Sequence, residues 1–118
     1  MLRPPQSHRK RSRENALDYE IAQEQAGALG RLGRALEAAL AALAAHDRAQ
    51  AEHGEDGANG AASDPRRARL VQDAGYALWC FVIQREACGL RDQRLIIREY
   101  RVPAEVQNRM GVLGGRPT

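Results

Sequence analysis

Aromatic residues are scarce: one Trp, one Phe and three Tyr in 118 residues. Much of the 43% hydrophobic share is alanine, which buries little area per residue at about 25 cal/mol per Å². A core built from such a chain is modest for its length. Lysine is nearly absent, with 17 of the 18 basic residues being arginine. Paired with abundant Ala and Gly, that bias is what a GC-rich genome produces without selection for a ligand. The first 13 residues contain no acid, and the whole chain contains no long apolar run. The longest apolar stretch of the first helical pattern, Ala38–Ala45, is too short and too alanine-rich to span a bilayer. Only two cysteines occur, Cys80 and Cys88. Eight residues apart in one helix, they lie about 12 Å apart along its axis, beyond disulfide reach. They read as free thiols of a reducing compartment. No segment has the layout of a signal peptide, since the basic start runs directly into Glu14, Asp18 and Glu20. The expected location is the cytoplasm.

Ala, Leu, Arg, Glu and Gln dominate what is present, and these are strong helix formers. Net charge is +3, but it is unevenly placed. Arg3, Arg9, Lys10, Arg11 and Arg13 give the first 13 residues a local +5, and 13 basic and 15 acidic residues leave the remainder at −2. Basicity therefore belongs to a tail. With two prolines and no periodicity, residues 1–14 are expected to be a disordered basic tail.

Asn15 offers an N-cap with Asp18 three residues on. Leu17, Ile21, Ala28, Leu32, Ala39 and Leu43 then recur at helical spacing, widened by Leu29, Leu36 and Leu40. This predicts a long helix to about residue 52. Gly27, Gly30 and Gly33 interrupt it, as either a kink or a strip for close packing. Residues 54–64 form a glycine-rich flexible loop, without the preceding strand or the Gly-Lys-Ser/Thr of a phosphate cradle. Asp64 and Pro65 start a second helix that Gly89 ends. Its middle, residues 77–83, is apolar on every side and must be covered on every side. Asp92 caps a third helix ending near Tyr100. Pro103 starts a fourth with Val106 and Met110 inward, Gly111 stops it, and 112–118 is a loose tail.

The expected fold is all-α: one domain over 15–111, with two long helices in an antiparallel hairpin. Two short C-terminal helices fold back over Leu17 and Ile21. One hairpin cannot cover residues 77–83, so a homodimer is expected, with Trp79, Phe81 and Ile83 as candidate interface residues.

Chemical equipment is thin. His46 and His53, with Asp47, Glu52, Glu55 and Asp56 nearby, would make a loose divalent site only if the helix ended between them; a solvated helix end is the favoured reading. Neither cysteine sits near a histidine or at a helix N-terminus, as a catalytic thiol would. No nucleophile elbow, Walker loop or dinucleotide fingerprint occurs. No metal, cofactor or catalytic residue is expected. The densest polar group, Gln84, Arg85, Glu86, Arg91 and Asp92 beside Tyr100, reads first as a corner ordered by Glu86–Arg91 and Arg85–Asp92 ion pairs, and otherwise as the place where a binding site is expected. Arg9, Lys10, Arg11 and Arg13 are candidate phosphate contacts. Residues 92–110 echo a helix-turn-helix, although Arg101 stands where such turns carry glycine and Pro103 where Ser or Thr is common.

The stretches RPPQS, ENALDYEI, ALWCFVIQREACGLRD and YRVPAEVQNRMG together resemble a family of small uncharacterised helical bacterial proteins, classed as a domain of unknown function. That resemblance covers nearly the whole chain outside the central loop, which looks like a tolerated insertion. It implies a compact helical domain and carries over no activity. A non-enzymatic oligomeric interaction or adaptor module is therefore the leading expectation. The alternative is a nucleic-acid-associated protein using the tail and residues 92–110.

Overall fold

The computed structural model describes residues 5–53 and 64–111, with side chains in the first helix from residue 12 onward. The expected loop (apart from Asp64), the C-terminal tail and the side chains of Arg9, Lys10 and Arg11 lie outside the described residues. Four helices are described, with no strand among them: α1 (Pro5–Glu52), α2 (Pro65–Ala87), α3 (Gln93–Glu99) and α4 (Ala104–Arg109). The all-α expectation holds.

Local punctuation accounts for most boundaries. The Asp64 side chain accepts a hydrogen bond from Arg66 N (2.9 Å), and Pro65 takes the first helical position, where its missing N–H costs nothing. At the other end of α2, Gly89 takes φ 87° and Leu90 N donates to Arg85 O at 2.8 Å, the closure a left-handed residue permits. Asp92 caps α3 by accepting from Leu95 N (3.3 Å), and Gly111, at φ 82°, ends α4.

The start of α1 departs from expectation. Asn15 is not its cap; the helix begins at Pro5, and residues 5–14, assigned to the tail, are its first turns. Pro5 fits this reading, since proline is tolerated in a first turn. The stretch to Arg13 contains only one residue, Pro5 itself, that opposes helix.

The core gathers Leu36 and Leu43 of α1, Leu78, Phe81 and Val82 of α2, and Ile96, Val102 and Val106 from the C-terminal part. α1 packs on α2, and α2 on α4. The C-terminal helices do not cover Leu17 and Ile21, which are 56% and 48% exposed. After Gly89 the chain turns the other way. Tyr100 reaches Gly33, Arg109 lies against Gly75, and Glu105 meets Arg67 near the start of α2. The cause is the apolar pair Val102 and Val106, which find their complement along α2 rather than beyond its end.

Every described side chain from Ser12 to Glu24 is consequently exposed. The radius of gyration, 21.2 Å, far exceeds the ~13.5 Å of a compact chain of this length. The long axis measures 85 Å against 27 and 23 Å across.

Candidate functional site

Where α1 ends and α2 begins, the sequence places Arg66 and Arg67 in a first turn that holds no acid. Positive charge there opposes the helix dipole and calls for a carboxylate partner. The fold supplies two. Arg67 Nε donates to Asp47 Oδ1 (2.8 Å) and Nη2 to Asp47 Oδ2 (3.1 Å). The same guanidinium donates to Glu105 through Nη1 (2.9 Å) and Nη2 (2.6 Å). One planar fork thus holds α1, α2 and α4 together with four charge-assisted hydrogen bonds. The hydrogen bond from Arg67 holds both the Asp47 and the Glu105 carboxyls below their ordinary range. The same bonds, first to Glu105 and then to Asp47, push the Arg67 pKa up.

Beside it, His46 Nε2 donates to Asp64 Oδ2 at 2.8 Å. That hydrogen bond, reinforced by backbone N–H groups at the start of α2, lowers the Asp64 pKa. His53 turns instead to its own helix, Nδ1 lying 2.8 Å from Ala49 O. His46, Asp47 and His53 are thereby drawn to three different partners. No group of three or more His, Cys, Asp or Glu side chains gathers among the described residues.

Next to the arginine, an open groove of about 360 Å³ runs between α1 and the α3–α4 turn, lined by Leu40, Asp47, Tyr100, Arg101, Pro103 and Glu105 among others. A second of about 370 Å³ adjoins it, between Glu37, Leu40, Glu99 and Arg101. The Asp47 and Glu105 carboxylates on the first are both hydrogen-bonded to Arg67.

The expected polar corner does not form as such. Among the described residues neither Glu86–Arg91 nor Arg85–Asp92 is an ion pair. Backbone closure at Gly89 orders the turn without them. Arg85 instead lies over the Phe81 ring, 5.9 Å from its centroid. Asp92 is occupied as a cap. Tyr100 packs edge-on against Phe81, with ring centroids 5.6 Å apart.

Of the three expected interface residues, Phe81 is removed: at 5% exposure it belongs to the chain's own core, held by Tyr100. Trp79 and Ile83 stay 40% and 47% exposed, and Tyr76 joins them on the same face of α2 at 53%. The Tyr76 and Trp79 rings lie 6.2 Å apart. A hydrogen bond with Cys80, one turn on, pushes the Tyr76 pKa up. Both cysteines are free thiols.

The helix-turn-helix candidate has the expected two helices and an unexpected turn. Arg101 adopts φ 51°, the left-handed conformation for which such turns use glycine. Yet α4 is six residues long and committed on several sides. Val106 is fully buried, Glu105 is bound to Arg67, and Arg109 Cβ sits 2.7 Å from where a Gly75 Cβ would be. Arg13 is exposed on α1.

Sequence reasoning missed Arg67 and Gly75. The unbalanced Pro-Arg-Arg at the start of α2 was a signal for the first. Nothing local marked Gly75, because its role is set by a residue 34 positions away.

These features define a class: an elongated all-α protein whose polar residues tie its helices together and whose apolar faces are left partly uncovered. The chain belongs to the Family of unknown function (DUF6665), whose model matches residues 5–118. No curated protein and no solved structure matches it.

Proposed function

We propose that this protein is a non-enzymatic, homodimeric interaction or adaptor module of the cytoplasm. In this reading α1 and α2 form an antiparallel hairpin that a second copy completes. The pairing of Asp47 with Arg67 and the approach of Gly33 to Phe81 support the hairpin, since higher positions in one helix meet lower ones in the other. The observation that carries the dimer is the exposure of Leu17, Ile21, Tyr76, Trp79 and Ile83 in one small chain. Burying a side chain of this size stabilises by roughly 1.5–3 kcal/mol. Light scattering coupled to gel filtration tests it: at micromolar concentration the mass should be twice the 13.0 kDa of the chain. A monomeric mass there refutes the reading. The absence of a membrane-spanning helix among the described residues accords with it.

A second reading, association with nucleic acid, is favoured by one observation, the glycine-like turn at Arg101. The basic Arg9, Lys10, Arg11 and Arg13 would supply phosphate contacts. Fluorescence anisotropy with mixed-sequence DNA and RNA over a salt series, on full-length protein and on a chain lacking residues 1–13, separates the possibilities. Sequence-discriminating binding that survives the truncation assigns it to residues 92–110. Salt-sensitive binding lost with the truncation assigns it to the basic segment, and no binding at low salt removes the reading.

A further inference from the structure

We draw no further inference here: the strongest candidate, the outward stripe of Tyr76, Trp79 and Ile83 on α2, is an uncovered apolar face, and nothing in the structure shows what covers it.

Discussion

At Gly75 a methyl group would stand 2.7 Å from Arg109 Cβ and 3.1 Å from its carbonyl carbon. α4 must retreat to admit it. Gly75→Ala should therefore destabilise the protein by about 1–3 kcal/mol, the cost of overpacking a contact that involves backbone. Gly27 and Gly30 are the opposite case, since an added Cβ would touch only the flexible ends of Arg31 and Arg34, at 3.5 and 3.4 Å. Alanine at either should stabilise by up to about 1 kcal/mol, through helix propensity alone. Urea unfolding midpoints check both signs. Arg101 is the remaining strained residue. Its left-handed φ costs an L-residue about 1–2 kcal/mol, partly offset by the freedom glycine would bring to the unfolded chain. Arg101→Gly should raise the midpoint slightly, by no more than about 1 kcal/mol. The three-glycine pattern in α1 was legible in the sequence, but its meaning was not. Only Gly33 admits close packing, against Tyr100 and Phe81. Which glycine faces a partner depends on residues dozens of positions away.

Among the elements, α4 is the least self-sufficient. Six residues form no stable helix in isolation, so its docking depends on Val106 and on the Glu105–Arg67 pair. Arg67→Met keeps the aliphatic stem and removes the fork. The loss should be about 1–2 kcal/mol, kept small because Asp47 and Glu105 are nearly half exposed and water screens them. The pH dependence has a definite sign. Both carboxyls have folded-state pKa values below their ordinary ones, so the unfolded chain binds protons first as pH falls. Their contribution is complete above the unfolded values near pH 4 and drains away as pH drops through the folded ones. Between pH 7 and 3 the stability gap between the unmodified protein and Arg67→Met should shrink, as read from urea midpoints at each pH. Helix boundaries at Asp64, Gly89, Asp92 and Gly111 were open to sequence reading, because caps act within a few residues. The Pro5 start of α1 was not, since clustered charge and proline there read as tail.

On the scale of the whole molecule, shape dominates. An 85 Å long axis on a 13.0 kDa chain means gel filtration should overstate the mass against globular standards. Elution volume alone would therefore mimic a dimer, and only scattering mass distinguishes the two. Small-angle scattering at the lowest accessible concentration should give a radius of gyration well above the ~13.5 Å of a compact chain. A compact value would mean that α1 folds back at Gly27 or Gly30. The amphipathic pattern of Leu17 and Ile21 announces burial, yet among the described residues nothing covers them.

The sequence by itself determined the helical class, the order of the four helices, most of their caps and the free state of both thiols. Those follow from propensity, periodicity and capping, forces that act between residues a turn or two apart. Tertiary structure alone decided that Phe81 is core while Trp79 and Ile83 face outward. It alone tied Arg67 to Asp47 and Glu105, and turned α4 back along α2 instead of over Leu17 and Ile21 of α1. Each of those outcomes rests on which apolar and charged groups meet across long stretches of chain, and a pattern read along the chain states that a face must be covered without naming what covers it.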